Sequence, residues 1–207
     1  MIADRVAPRP VLAATTPFVG HVWSIDAEVV ELGDGPVTRD LLRHPGAVAV
    51  MVYREPGEVL LVHQYRHPVR RELWEPPAGL LDKPDEDPWE AARRELAEEV
   101  DLTADTWHVL ADVYTSPGGS SEAIRIFLAR DVHPVNAAER FAREAEEAEM
   151  TSAWVSLDEV LDALAAGTVG CPTLSLGAYA LDAARRGGWA RLREPNVPWT
   201  ARDGVPR

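Results

Sequence analysis

One stretch of this chain, Asp87–Val100 (DPWEAARRELAEEV), fixes more of the fold than any other. Asp87 fits the N-cap of a helix, Pro88 its first position, and Glu90 follows three residues after the cap, so the spacing predicts a helix over 88–100. At 100° per residue, Trp89, Ala92, Leu96 and Val100 share one side, and Glu95, Glu98 and Glu99 share another. The apolar row needs a surface to lie on. The acidic row is self-repelling: glutamates three and four residues apart cost roughly 0.2–0.5 kcal/mol per pair. Arg94 stands four residues before Glu98 and can pair with it, whereas Glu95 and Glu99 have no evident partner on their own helix. Acidic helix faces are ordinarily just solvated. The alternative is a cation, and hard carboxylate oxygens on a rigid element suit Mg2+ or Mn2+.

The segments around this helix read as strands. HVWSIDAEVVEL followed by the turn GDGP predicts a first hairpin, and AVAVMVY with EVLLVHQYR predicts a second around REPGE. EPPAGLLDKPDED, just before the helix, reads as a short strand and a Gly- and Pro-containing loop aimed at the helix N-terminus. After the helix, TWHVLADVYTS and EAIRIFLAR form strands joined by SPGGSS, and an acidic loop follows around AREAEEAEM. SLDEVLDALAAG carries a Ser156 to Glu159 capping box and a terminal Gly167, and PTLSLGAYALDAARRGG predicts a last helix ending at Gly187 and Gly188. The first 18 residues and Glu194–Arg207 are Pro-rich and are expected to be irregular. Strands, helix, strands, helices is the order of an α+β fold or of helices sandwiching a mixed sheet.

With 207 residues, 46% of them hydrophobic, the chain can bury one sizeable core, which predicts one domain with an N-terminal extension. Acidic residues outnumber basic ones 34 to 21, a net charge of -13, so neither nucleic acid nor an anionic membrane is expected as a partner. An anionic substrate would need gathered arginines or metal ions. The single cysteine, Cys171, excludes an intramolecular disulfide, the first residues lack a secretory pattern, and the apolar runs fall short of the roughly 20 residues that span a bilayer. A cytoplasmic protein is expected.

Gly79, Glu86, Arg94, Glu95, Leu96, Glu98, Glu99 and Leu102 together resemble the Nudix box, G-x5-E-x7-R-E-U-x-E-E-x-G-U. Two positions depart from it. Six residues rather than five separate Gly79 from Glu86, an insertion within LLDKPD, and Asp101 stands where the box has glycine, past the helix end in a position expected to be left-handed. QYRHPVRRELWEPPAGLLD, with the SPG whose Pro117 lies fifteen residues beyond Leu102, further resembles the ADP-ribose pyrophosphatase branch in its actinobacterial form, over approximately residues 45–185. The resemblance implies a Nudix-type α/β/α sandwich with a mixed central sheet plus N-terminal antiparallel strands. It divides the chain into 1–45, an extension with strands for dimerisation; 46–190, the hydrolase domain; and 191–207, a Pro-rich tail.

The same resemblance implies divalent-metal-dependent hydrolysis of ADP-ribose to AMP and ribose 5-phosphate, with Mg2+ or Mn2+ as cofactor. Another nucleoside diphosphate sugar such as GDP-mannose is the alternative substrate, and a non-catalytic nucleotide sensor the more distant one. Glu95 and Glu99 are implied as principal metal ligands, Glu98 as a further ligand or the group orienting water, and the Ala78 carbonyl as completing the set. Arg94, Glu98 and Glu147 form the expected catalytic group, with Glu147 the general base and Glu146 or Glu149 its alternatives in the acidic loop. Arg66, Glu75, Gly118 and Glu122 are the expected substrate contacts. Trp74 could stack on a base, although packing is the commoner role of tryptophan. A homodimer with exchanged N-terminal strands is expected on the same ground.

Overall fold

The segment Ala47–Arg54 alternates small and large apolar residues with almost no polar break, as a strand must when both of its faces are covered. In the protein, described by a computed structural model for residues 2–83, 85–136, 138 and 149–202, it is β4, buried along Ala47–Tyr53. In chain order the elements are β1 (Val11–Val19), β2 (Ser24–Leu32), β3 (Gly35–Arg43), β4 (Ala47–Arg54), β5 (Glu58–Arg66), β6 (Arg71–Glu75), β7 (Ala78–Leu80), α1 (Pro88–Val100), β8 (Leu102–Tyr114), β9 (Ala123–Pro134), β10 (Thr151–Ser156), α2 (Leu157–Ala165) and α3 (Pro172–Arg186). The fold is α+β, with a mixed seven-stranded sheet and a separate antiparallel three-stranded one.

The chain divides into two units. The first comprises Met1–Gly46, Val113–Ile124 and Pro198–Arg207. Its sheet has the order β1-β2-β3, with Leu32 opposite Gly35 at the hairpin turn and Val19 opposite Ser24. Arg43 reaches across to Asp26 (2.5 Å) and Glu28 (3.2 Å), and the Thr16 hydroxyl donates to Asp26 (2.8 Å). The 115–122 loop is sewn to β3 by Leu42 N–H to the Gly119 carbonyl and Ser121 N–H to the Leu42 carbonyl, both 2.9 Å. The Pro-rich start is therefore not irregular throughout: residues 11–19 form β1, because Pro10 lies before the strand and Pro17 falls where its register with β2 is broken, between Thr15 and Phe18.

The second unit comprises Ala47–Asp112 and Arg125–Val197. The larger sheet runs β10-β5-β4-β9-β8, with β6 added to β5 and β7 to β4. Gly79 of β7 pairs with Val48, and a Cβ on Gly79 would collide with Glu95 of α1; a Cβ on Gly177 of α3 would come within 2.7 Å of Met51. Val48 and Met51 are an odd number of residues apart, so they face opposite sides of the sheet. Hence α1 and α3 cover β4 from its two sides, and the sandwich follows from register alone.

Asp87 caps α1, accepting the Trp89 N–H at 2.8 Å, and Ala91, Ala92, Leu96 and Val100 are buried beneath it. At the other end Asp101 is left-handed (φ 54, ψ 38) and its N–H closes on the Leu96 carbonyl, the conformation its position in the box predicts. The capping box of α2 is not formed as expected: Ser156 is the N-cap, but its hydroxyl makes no capping hydrogen bond. β10, which contributes the Ser156 cap, was hidden at the edge of the acidic run. It pairs Thr151–Ser156 with Glu58–His63 of β5.

Candidate active site

β6 ends at Glu75, and two prolines then carry the chain across to β4, where the Pro77 carbonyl accepts the Val50 N–H at 2.8 Å. This sets the three residues of β7 directly under α1. Glu95 occupies the space in front of Gly79: a Cβ there would lie 2.0 Å from its carboxyl carbon and oxygen, so only glycine admits it. Glu99, one turn on, accepts the Ala78 N–H at 3.0 Å. Two carboxylates, 9% and 8% exposed, thus converge on one three-residue strand. Burial pushes the Glu95 carboxyl above its usual range, opposed chiefly by Arg94 and more weakly by Lys83.

Arg94 is the hub of the helix face. Its Nε and Nη2 donate to the two oxygens of Glu86 (2.8 and 2.9 Å), a bidentate pair across the preceding loop, while Nη1 donates to Glu95 (2.6 Å) and Glu98 (2.9 Å). Glu95 was expected to lack a partner on its own helix; the guanidinium fork, long enough to serve three carboxylates, supplies one. The hydrogen bonds from Arg94 hold the Glu86 carboxyl below the usual range, and the three acids raise the Arg94 pKa in turn, with Glu86 contributing most.

Arg66, at the end of β5, donates through Nε and Nη2 to Glu75 at 2.7–3.2 Å, and Gln64 donates to the same carboxylate at 3.3 Å. Glu75 raises the Arg66 pKa, and the charge of Glu99 adds to that effect. The only sequence signal for Gln64 is the two-residue strand period, which puts it on the same side as Arg66. Trp74 faces the other way and packs on the His63 ring at 4.6 Å between centroids. It lines an open pocket of about 280 Å³ with Leu61, Val155, Val160 and Leu174, where Glu159 and Thr168 add polar groups.

Gly118 and Glu122 belong to the first unit. Gly118 is exposed in the loop. Glu122 is engaged within its own unit: it accepts a short hydrogen bond from the Thr115 hydroxyl and lies 3.6 Å from His44 Nε2, while His44 Nδ1 accepts the Gly46 N–H at 3.1 Å. Glu147 and Glu146 lie outside the described residues, and Glu149 is exposed. Cys171 is buried with its thiol 3.0 Å from the Thr173 hydroxyl, and burial pushes its pKa up, away from the reactive thiolate. Among the described residues no three His, Cys, Asp or Glu side chains gather as a ready-made metal cage. Glu98 is held by Arg94, and Glu99 bonds the Ala78 N–H. No described helix is long and apolar enough to cross a membrane.

A helix bearing R-E-x-x-E-E, laid against a glycine that its first glutamate requires, defines a family, and the NUDIX domain matches residues 42–170. The chain belongs to the NUDIX family and is a Nudix hydrolase. It is 37% identical over 192 residues to the ADP-ribose pyrophosphatase of Mycobacterium tuberculosis, covering 92% of this chain and 91% of that one. It is 40% identical over 116 residues to the ADP-ribose pyrophosphatase of Bacillus subtilis, covering 56% and 62%. In fold it is similar to an ADP compounds hydrolase of known crystal structure, with a TM-score of 0.69 at 19% identity, over 90% of this chain and 98% of that one.

Proposed function

We propose that the chain hydrolyses ADP-ribose to AMP and ribose 5-phosphate with the aid of a divalent cation. The observation that carries this reading is the meeting of Glu95 and Glu99 with β7, two buried carboxylates at the cradle left by Gly79. The relative from Mycobacterium tuberculosis, similar over nearly the whole of both chains, supports ADP-ribose as the substrate.

The donor set fits Mg2+ or Mn2+: Glu95, Glu99, the Ala78 carbonyl and Glu98 are all hard oxygen ligands. When bound, such an ion neutralises diphosphate charge and makes a water molecule more acidic. The remaining work falls to the side chains. Leu96 and Val100 anchor α1, and Arg94 fixes the orientations of Glu95 and Glu98 by hydrogen bonds. Arg66, held flat by Glu75, presents a guanidinium edge to an anionic or hydroxyl-bearing substrate, and Glu75 can accept from base or ribose donors. Glu147 is proposed as the general base that takes the proton of the attacking water. A cytoplasmic location accords with the composition.

The test is AMP release from ADP-ribose in the presence of Mg2+ or Mn2+, with GDP-mannose alongside. Glu95→Gln and Glu99→Gln are each expected to lower kcat/KM about 100-fold or more, since even outer-shell partners of a metal are worth about 10–100-fold. Full activity in both variants would end the proposal. Faster turnover of GDP-mannose would keep the chemistry and change the substrate.

A further inference from the structure

Of the 21 basic residues in this anionic chain, 20 are arginines; the only lysine is Lys83, inside the loop whose extra residue departs from the Nudix spacing. The Lys83 carbonyl accepts the Glu86 N–H at 3.4 Å, and Asp85 between them is left-handed (φ 65). This turn holds the α-carbons of Lys83 and Glu86 within about 7 Å of each other. From Glu86 the contacts run on through Arg94 to Glu95 and Glu98. Lys83 therefore stands at the edge of the carboxylate group, and its charge reaches both Glu86 and Glu95.

The neighbouring cations are committed. Arg94 is shared by three carboxylates, and Arg66 is bonded to Glu75. Lys83 is exposed, and among the described residues it makes no ion pair. A molecule of charge -13 repels an anionic substrate at long range, so an uncommitted ammonium beside the acids has a use that a structural lysine would not have. A compact ammonium on a flexible stem suits phosphate oxygens, which it meets as a point charge without the planar geometry arginine imposes.

We infer that Lys83 contacts the phosphate oxygens of a bound nucleoside diphosphate, making the inserted loop part of the substrate site. The inference rests on the hydrolase reading for its substrate class, but its test does not depend on turnover. Titration calorimetry of ADP into the full chain, with and without Mg2+, is expected to give about a fivefold weaker Kd for Lys83→Gln, the scale of one exposed charge pair, and near wild-type affinity for Lys83→Arg. The gap should close as salt is raised toward 1 M, where the Debye length is about 3 Å. Because the chain has a single lysine, reductive methylation followed by peptide mass mapping, which separates Lys83 from the N-terminal amine, reports on that side chain, and saturating ADP should slow it. If wild type binds ADP and Lys83→Gln weakens it while ADP-ribose is not hydrolysed, the lysine contact stands and the proposed substrate falls. Equal ADP affinity in wild type and Lys83→Gln, or no ADP binding by wild type, overturns the inference even where ADP-ribose hydrolysis is established.

Discussion

At the scale of the residue, the position that does most for the site carries no side chain. Gly79 leaves the space that the Glu95 carboxylate fills, and Gly79→Ala would put a methyl 2.0 Å from it. The colliding group is the end of a flexible side chain, so Glu95 can be displaced without moving α1. Gly79→Ala is therefore expected to lower kcat by tenfold or more while destabilising the protein by about 1 kcal/mol or less, under the 1–3 kcal/mol usual for overpacking. Thermal melting and steady-state kinetics on the same preparation check it; a large loss of melting temperature with activity retained would contradict the cradle. The glutamates and Arg94 could be found in the sequence because their spacing on one helix is local. The partners that Glu122 finds in His44 and Thr115 could not, since a loop pairing with a residue 78 positions earlier leaves no period to read.

At the scale of the element, α1 is positioned by three attachments: the apolar row on the sheet, the Asp87 cap, and the bidentate bond between Arg94 and Glu86, which ties the helix to its own leading loop. The last is the one pH can remove. The folded pKa of Glu86 is depressed, so its contribution is complete above the unfolded value of about 4.3 and is lost as pH falls through the lower folded value. Glu86→Gln should thus cost on the order of 1 kcal/mol near neutral pH, a charge-assisted hydrogen bond weakened by its partial exposure to solvent. Urea unfolding of both proteins from pH 7 down to pH 3 should show the difference shrinking below about pH 4.3; a gap that stays constant would mean Glu86 stabilises by packing alone. The bounds of α1 and α3 were legible because caps and prolines mark them. β1 and β10 were not: prolines masked the first, and the acidic run beside it the second. Their strand state depends on pairing with β2 and β5, which no local propensity encodes.

At the scale of the whole molecule, the feature in need of explanation is β1. All nine of its residues are exposed, including Val11, Leu12, Phe18 and Val19, and Val22 and Trp23 beyond it are exposed as well. Among the described strands it pairs only with β2, so its other edge is open. An apolar edge strand in a free monomer invites further pairing, and natural proteins blunt such edges with charge, proline or bulges, or cover them. The β1 sequence VLAATTPFV has no charge, and although its register with β2 breaks between Val11 and Ala13 and, at Pro17, between Thr15 and Phe18, its apolar side chains stay exposed. Covering is then the expected solution, by a second copy of the chain. Light scattering at micromolar concentration should give twice the 22.7 kDa chain mass. The double change Leu12→Lys and Phe18→Lys, at surface positions of the first unit, should shift the protein toward monomer with its circular dichroism spectrum intact. A wild-type mass of 22.7 kDa would leave β1 uncovered and defeat the dimer. If the monomeric variant also binds ADP-ribose more weakly while keeping its kcat at saturation, the second copy contributes to the substrate site; unchanged KM would confine its role to shielding the strand.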